Sequence, residues 1–258
     1  MNIPFEKYQG TGNDFILIDN RDGIFPADDL KLIRRLCDRK FGVGSDGLML
    51  IENHPTADFK MGFYNPDGSQ SLCGNGSRCA VQYAKTLGIE NDEGVFETTD
   101  GLHHYRVGEA DISISMNPVS DFVKIQGHRF IPTGSPHLII YTENVAQTDV
   151  SGLGSKYRYH PDFREMGGTN VNFVEVLNDG TYKVRTYERG VEAETLSCGT
   201  GVTAVAIALA LDKNAGSTVV MHTRGGELTV LLSKTDQGFS NIWLKGAATH
   251  VFSGTFYA

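Results

Sequence analysis

The chain repeats one series of predicted elements, and this repeat constrains its fold more than any other feature. The segment FKMGFY (59–64) resembles YKVRTY (182–187), and both have the composition of strands. Each enters a polar loop that ends in a cysteine and a glycine-rich turn. These turns read Cys73-Gly74-Asn75-Gly76 and Cys198-Gly199-Thr200-Gly201. The sequence therefore predicts two copies of a unit in which a cysteine joins a strand and loop to the next element.

A helix is predicted after each turn, over 77–88 in the first copy and 202–216 in the second. Gly88 and Gly216 are placed to end these helices. Both segments are strongly apolar, and the second is apolar almost all round, which favours burial inside a sheet. A hairpin follows each helix, with turns predicted at Asp100-Gly101 and Arg224-Gly225.

These patterns predict an α+β fold of two pseudo-twofold-related domains. Each domain is expected to be a curved, mostly antiparallel sheet wrapped around a central helix. The predicted domains are 1–117 and 118–249, divided where the alternating strand ADISISM gives way to Asn117-Pro118. A tail at about 250–258 is free to pack back on the first domain.

Composition bounds the partners and the compartment. The 258 residues are 40% hydrophobic and carry a formal net charge of -8, without a run of Lys or Arg. Nucleic acid and membrane surfaces are therefore not expected partners. Neither a signal peptide nor a segment of membrane-spanning length is apparent, so we expect a cytoplasmic protein. Four cysteines are too few for a disulfide framework, and a reducing compartment would keep them as thiols.

A cysteine at the start of a helix is well placed for acid–base chemistry. Unpaired backbone N–H groups and the helix dipole stabilise its thiolate, so its pKa falls from about 8.5 toward neutrality. The same N–H groups can hold a carboxylate beside the sulfur. Inversion of a carbon α to a carboxylate needs one group to remove a proton and a second, on the opposite face, to return one. Cys73 and Cys198 are predicted to be that pair.

We predict no cofactor and no metal. A pyridoxal enzyme would need a Schiff-base lysine, for which no positive sign is present. No CxxC, HExxH or similar ligand spacing occurs. His103 and His104 are adjacent in a predicted strand, where neighbouring side chains point apart, so they are interpreted as structural.

Four motifs together resemble the diaminopimelate epimerase family, in order and across the whole chain: TGNDF (11–15), NPDGSQSLCGNGSRC (65–79), SPH (135–137) and ERGVEAETLSCGTG (188–201). The resemblance implies a pyridoxal-independent isomerase that interconverts LL- and meso-diaminopimelate, for lysine and peptidoglycan synthesis. It implies a small amino-acid substrate enclosed by two similar domains. Family members are often dimers, which makes a homodimer a possible assembly.

The resemblance also implies roles for individual residues. Cys73 and Cys198 match the catalytic pair, while His137 and Glu188 match positions that support catalysis. The reacting carboxylate would be held by Gly74, Asn75, Gly199 and Thr200. The pocket and the distal end of the substrate would be read by Asn13, Asn65, Asn170, Glu188 and Arg189. Ser135 stands where many members have asparagine, and Gly47 where some have glutamine; both differences bear on distal-end recognition.

Other interpretations stay open at this point. A two-thiol racemase for proline, hydroxyproline or histidine would keep both cysteines. A non-catalytic carboxylate-binding protein, or a redox sensor with a reversible disulfide, could use the same fold. Asn13 and Asn65 both lie in contexts that favour turns. Cys37 and Cys79 lie at helical core positions and are interpreted as buried hydrophobes.

Overall fold

The computed structural model describes residues 1–89 and 91–258, which form two compact units. Unit 1 comprises Met1–Ile114 and Gly246–Ala258, and unit 2 comprises Ser115–Lys245. The boundary lies within a few residues of the joint expected at 117–118. The C-terminal segment belongs to unit 1.

The described residues form seventeen strands, four α-helices and two 3₁₀ turns. The strands are β1 (Asn2–Gly10), β2 (Asn13–Asp19), β3 (Gly47–Glu52), β4 (Phe59–Tyr64), β5 (Glu93–Thr98), β6 (Gly101–Val107), β7 (Ile112–Met116), β8 (Val123–Ile125), β9 (His128–Pro132), β10 (Pro136–Tyr141), β11 (Asn170–Val176), β12 (Tyr182–Glu188), β13 (Ala193–Thr195), β14 (Thr218–Thr223), β15 (Gly226–Thr235), β16 (Gly238–Gly246) and β17 (Thr249–Tyr257). The helices are α1 (Leu30–Cys37), α2 (Gly74–Thr86), α3 (Val150–Arg158) and α4 (Gly199–Asp212). The 3₁₀ turns span Val145–Gln147 and Pro161–Met166.

Unit 1 is a mostly antiparallel sheet around α2. Antiparallel pairs join β1 to β17 and β2, β3 to β4, β5 to β6 and β6 to β7. Parallel pairs join β2 to β3 and β4 to β5. The α2 helix packs against β1, β2, β3 and β4 and buries ten of its thirteen residues. The helix is therefore the centre of this unit's core.

Unit 2 has the same plan around α4. Antiparallel pairs join β9 to β8 and β10, β11 to β12, and β14 to β15. Parallel pairs join β10 to β11 and β12 to β14. The α4 helix packs against β9, β10, β11 and β15, and its residues from 199 to 209 are buried except Thr200. An apolar surface on all sides is what a helix enclosed by a sheet requires.

The two units therefore share one order of elements. In each unit a hairpin is followed by a helix, α1 or α3. The next strand runs parallel to the second strand of that hairpin. An antiparallel neighbour comes next, and the central helix follows it. The predicted α+β fold class is confirmed. Both predicted hairpins are present. The turn between β14 and β15 is Arg224-Gly225, as predicted, whereas the turn between β5 and β6 is Thr99-Asp100, one residue before the predicted Asp100-Gly101, because Gly101 already pairs with Thr98.

The predicted ends of the central helices need correction. Both helices begin immediately after the cysteine, at Gly74 and Gly199, and not three residues later. The α2 helix is closed by Gly88 in the left-handed region (φ +91°), as expected. The α4 helix already ends at Asp212, and Asn214 takes the left-handed conformation (φ +52°) before Gly216 is reached. Asparagine tolerates this conformation better than most residues, so Gly216 is not the residue that ends the helix.

Residues interpreted as structural lie where core residues lie. Cys37 and Cys79 are both buried, and burial raises the pKa of both thiols, that of Cys79 to about 12. His103 is buried and its Nε2 lies 3.0 Å from Asp100, while His104 is exposed. None of the helices that the structure describes is long and apolar enough to cross a bilayer.

Candidate active site

Cys73 is the N-cap residue of α2. Its backbone is extended (φ -127°, ψ 107°), and its Sγ accepts a hydrogen bond from the N–H of Gly76 at 3.4 Å. The sulfur therefore occupies the position of a capping side-chain oxygen, where unpaired N–H groups converge. The side chain is partly exposed, whereas Gly74 and Asn75 behind it are buried. This geometry suits an anionic sulfur.

Asn13, which precedes Cys73 by 60 residues, is held against the same helix end. Its Oδ1 lies 3.8 Å from Cys73 Sγ and accepts from Asn75 Nδ2 at 3.4 Å. Its own Nδ2 donates to Asp46 Oδ2 at 2.6 Å, and Asp46 is bound by Arg39 at 2.7 Å. Because a carboxylate can only accept, it fixes the amide with the oxygen toward the sulfur.

Arg78 lies fully buried in α2, one turn beyond Cys73. Its guanidinium donates to Thr11 Oγ1 at 3.2 Å and to the carbonyls of Gly74 and Ala247 at 3.5 and 3.4 Å. Burial lowers the pKa of Arg78 to about 10, so the group stays charged at neutral pH, while the neighbouring sulfurs of Cys79 and, less strongly, Cys73 act to raise it. Within the described part of the chain its hydrogen-bond partners are neutral. The sequence reasoning missed this residue, although an arginine in a helix predicted to be buried is a signal that could have found it.

Two other residues of unit 1 behave as structural elements. Asn65 donates to Ser69 and Ser71 of its own loop at 3.1 Å, which supports the turn interpretation. Gly47 begins β3, where a Cβ would collide with the ring of Phe63. The local packing therefore demands glycine at this position.

Cys198 is the N-cap residue of α4, with the same extended backbone (φ -133°, ψ 112°). It is buried, with 8% of its surface exposed. Its Sγ lies 3.5 Å from the hydroxyl of Thr200. The predicted equivalence of the two cysteines thus extends to their backbone conformation and their place on a central helix.

His137 lies beneath the N-terminus of α4 and is fully buried. Its Nε2 is 2.9 Å from both Ser135 Oγ and Thr200 Oγ1. Its Nδ1 is 3.1 Å from Asn172 Nδ2. Burial, reinforced by the charge of Arg189, lowers the pKa of His137 to about 3. The imidazole is therefore neutral at physiological pH.

Asn170 and Arg189 are brought together, but Asn170 has its amide engaged within the unit. Its Oδ1 accepts from the backbone N–H of Arg189 at 2.8 Å, and its Nδ2 donates to the Pro136 carbonyl at 2.9 Å and to Ser135 Oγ at 3.2 Å. Arg189 donates to the Met166 carbonyl at 3.0 Å, and burial lowers the pKa of its guanidinium. Glu188, half-buried, is the last residue of β12 and precedes Arg189.

The structure therefore brings the predicted residues together in two groups, one in each unit. In unit 1 they are Asn13, Cys73, Gly74 and Asn75; Asn65 stays in its own loop. In unit 2 they are Cys198, Gly199, Thr200, His137, Asn170 and, through its backbone, Arg189. Asn172 and Thr186 join the second group and were missed, although two asparagines at 170 and 172 share one face of a strand. Among the described residues, no group of His, Cys, Asp or Glu is arranged to hold a metal.

The sequence is similar to characterised proteins over nearly its whole length. The family model for diaminopimelate epimerase matches residues 5–120 and 129–251. The diaminopimelate epimerase of Flavobacterium psychrophilum is 48% identical over 96% of this chain and 98% of its own. That of Chlorobaculum tepidum is 40% identical, over 95% and 98%.

Solved structures show the same fold at low identity. A PhzF-family phenazine biosynthesis protein of Bacillus anthracis superposes with a TM-score of 0.81 at 15% identity, over 100% of both chains. A hydroxyproline epimerase of Agrobacterium vitis superposes with a TM-score of 0.70 at 17% identity, over 98% of this chain and 92% of its own. These two likenesses concern the fold alone, whereas the matches in sequence are specific: the chain belongs to the diaminopimelate epimerase family.

Proposed function

We propose that the chain interconverts LL- and meso-diaminopimelate by a two-base reaction, with Cys73 and Cys198 acting on opposite faces of one α-carbon. The observation that supports this most directly is that each cysteine is the N-cap of the buried central helix of its unit. Two thiols in matching positions provide the acid and the base that inversion needs.

In each direction one sulfur is a thiolate and the other a thiol. The thiolate takes the α-proton, and the electrons of the broken C–H bond move into the adjacent carboxylate. The thiol on the other face then gives its proton to the carbon, which completes inversion and leaves the second sulfur as the thiolate. The reverse reaction exchanges the two roles, so no external reductant or oxidant is needed.

The reacting carboxylate is proposed to bind the helix ends. The first backbone N–H groups of α2 and α4 belong to Gly74 and Asn75 in unit 1 and to Gly199 and Thr200 in unit 2. These donors are held by the helices before the substrate arrives, so they can stabilise the charge that develops on the carboxylate. Glycine at the first position of each helix leaves room for a substrate atom beside the sulfur.

Glu188 and Arg189 are proposed to bind the distal amino-acid end of the substrate. The planar guanidinium can grip both oxygens of a carboxylate, while Glu188 can pair with the ammonium group. Asn170 acts on this end indirectly, because its amide oxygen holds the backbone of Arg189. A racemase for proline or hydroxyproline would have no use for this second recognition set.

The first test is turnover of LL-diaminopimelate by purified protein without added cofactor, under reducing conditions that match the proposed cytoplasmic location. Cys73→Ala and Cys198→Ala should each lower epimerisation by at least about 10³-fold, since one of the two proton-transfer groups is lost. Exchange of the α-proton with solvent deuterium, followed for each stereoisomer, should persist only where the remaining cysteine faces that hydrogen.

Cys37→Ala is the matched control, because Cys37 is a buried core thiol of α1 and should leave turnover nearly unchanged. Full epimerisation by either active-site variant would disprove the two-base assignment. Turnover of proline or hydroxyproline in preference to diaminopimelate would disprove the substrate assignment while retaining the chemistry.

A further inference from the structure

We infer that Asn172 is a positioning residue that sets the tautomer of His137 and thereby directs the hydroxyl of Thr200 onto the sulfur of Cys198. The inference rests on the proposed function, since it explains how one of the two sulfurs is prepared for proton transfer. All of the groups involved lie in unit 2, beneath and beside the N-terminus of α4.

The amide of Asn172 has one orientation. Its Nδ2 donates to the Leu138 carbonyl at 3.3 Å, and a carbonyl can only accept. Its Oδ1 accepts from the hydroxyl of Thr186 at 3.0 Å. The side chain is completely buried, so water does not compete for these bonds. The NH₂ group is therefore assigned by its carbonyl partner, independently of the histidine.

This orientation determines where His137 carries its proton. The second hydrogen of Asn172 Nδ2 points to His137 Nδ1, 3.1 Å away, so Nδ1 has to be the acceptor. Since the buried ring is neutral, its single proton is on Nε2. The charge that acts on the ring is the cation of Arg189, which further disfavours the doubly protonated form. His137 consequently does not serve as a base toward either hydroxyl at Nε2.

The Nε2–H is directed at the two hydroxyls beside it, Ser135 Oγ and Thr200 Oγ1, both at 2.9 Å. Ser135 Oγ also accepts from Asn170 Nδ2 at 3.2 Å. The other acceptor within reach of the Thr200 hydroxyl, Ser135 Oγ at 3.3 Å, is already approached by the N–H groups of Asn170 and His137. Once Thr200 accepts from His137, its own hydrogen is therefore available for Cys198 Sγ at 3.5 Å. The result is a directed chain of donors that runs from Asn172 through His137 and Thr200 to the sulfur.

A hydrogen bond given to a sulfur favours the thiolate over the thiol, because bonds to a charged acceptor are the stronger ones. In a buried network each bond also polarises the next. Asn172 therefore assists Cys198 without contacting the substrate. The corresponding residue of unit 1 is Met49, since both lie two positions into strands β3 and β11, and a methionine side chain cannot donate a hydrogen bond.

The decisive variant is Asn172→Asp, examined at pH 8. An isosteric carboxylate can only accept, so His137 must place a proton on Nδ1; the neutral ring then leaves Nε2 as an acceptor for the Thr200 hydroxyl. We expect the ¹⁵N NMR signals of the His137 ring to switch from the Nε2–H to the Nδ1–H pattern. We also expect kcat to fall at least tenfold. Signals are assigned by their loss in His137→Gln.

The state of the sulfur is measured by the pH dependence of alkylation with iodoacetamide, read on the Cys198 peptide in a Cys73→Ala background. Asn172→Asp should raise the midpoint by about one pH unit, and Thr200→Val, which removes the last donor, should raise it similarly. The midpoint of Cys73, measured in a Cys198→Ala background, should not move. Thr186→Val is the control for a purely structural role. It removes the hydrogen bond that Thr186 donates to Asn172 Oδ1 but leaves the bond from Asn172 Nδ2 to the Leu138 carbonyl.

An unchanged His137 tautomer in Asn172→Asp, or a Thr186→Val variant that shifts the Cys198 midpoint as much as Thr200→Val does, would overturn the inference. Neither measurement uses a substrate. A native protein that shows the expected tautomer and midpoints but does not act on diaminopimelate would therefore refute the proposed function and leave this inference standing.

Discussion

The surroundings of Cys73 and Cys198 are built on one backbone plan but from different chemistry. Each cysteine is an extended N-cap, and the second residue of each helix, Asn75 or Thr200, meets a residue at or just before the start of a strand of the parallel pair. That partner is Asn13 in unit 1, at 3.4 Å, and Ser135 in unit 2, at 3.3 Å. The duplication has therefore kept a polar contact across the helix end while changing both partners.

The layer beneath each helix end differs more. The parallel registers place Phe15, Met49 and Phe63 in unit 1 where unit 2 has His137, Asn172 and Thr186. The first set is apolar and the second is a hydrogen-bonded polar chain. The helices differ in the opposite sense, because the charged Arg78 in α2 corresponds to Thr203 in α4, whose hydroxyl donates to the Gly199 carbonyl.

Under the proposed function, this difference corresponds to two ways of supporting a thiolate. Unit 1 places a buried cation behind an apolar layer, and unit 2 places a directed chain of hydrogen bonds beneath its sulfur. In the proposed reaction the two cysteines exchange roles, so both thiolates must have similar free energies. A repeated scaffold can meet that requirement with unlike residues, and each device should respond to its own substitutions.

The largest effect is expected from a methyl group added at the second glycine of each turn. In Gly201→Ala the new Cβ would lie 2.5 Å from Asn172 Oδ1, an atom held by Thr186. We expect a loss of about 1–3 kcal/mol in the free energy of unfolding, measured with urea, because the polar chain has to move as a unit. In Gly76→Ala the Cβ would meet the flexible end of Met49 at 2.9 Å, and we expect a smaller loss.

Equal losses in the two variants would show that the polar layer is no more rigid than the apolar one. The comparison is well matched, since both glycines occupy the third helical position after a cysteine and both lie buried.

A second effect is the dependence of the free energy of unfolding on pH, which is expected from a buried histidine of unit 2. The pKa of His137 is about 3 in the folded protein, against an ordinary value near 6.5. Between these values the unfolded chain binds the proton and the folded chain does not, so stability falls as the pH is lowered. The slope approaches about 1.4 kcal/mol per pH unit, and the loss between pH 6.5 and 5 is roughly 1.6 kcal/mol. His137→Gln should remove most of this dependence, as measured by urea unfolding at both pH values.

The control for that measurement is His128→Gln, also in unit 2. Burial lowers the pKa of His128 as well, but its side chain is only partly buried, so the slope should change less. A native protein equally stable at pH 6.5 and 5 would contradict a neutral, buried His137.

Local patterns in the sequence predicted much of this architecture. The repeat, both cysteine–helix joints and both hairpins follow from periodicity and glycine placement, and the fold class, the family and the isomerase class are confirmed by the comparisons. The end of α4 was predicted wrongly because asparagine can also take the left-handed conformation that follows a helix, and Asn214 comes before Gly216.

The residues proposed to adjust the pKa of the two cysteines could not be predicted, because it is the register of the paired strands that brings them together. Asn172 meets His137 only through the parallel pairing of β10 with β11, 35 residues apart. Asp46 orients Asn13 across 33 residues for the same reason. Asn65 shows the limit of a family pattern from the other side: its amide holds its own turn, and its contact with the substrate stays a prediction.

The smallest effect concerns the buried cation of unit 1. Arg78→Thr introduces the residue that α4 has at the corresponding position and removes the charge that acts on Cys73. We expect the midpoint of Cys73 alkylation to rise by about one pH unit, or roughly 1.4 kcal/mol of thiolate stabilisation. The midpoint is read on the Cys73 peptide in a Cys198→Ala background.

The same variant should leave the midpoint of Cys198 unchanged, since that sulfur depends on Thr200 and His137. Lowered stability alone cannot mimic this result, because partial unfolding would expose both thiols and move both midpoints toward that of a free cysteine. A shift confined to Cys198, or shared equally by both thiols, would contradict a specific action of Arg78 on Cys73. A shift confined to Cys73 would show that the buried charge of unit 1 lowers the midpoint of Cys73, as the directed hydrogen-bond chain of unit 2 is proposed to do for Cys198.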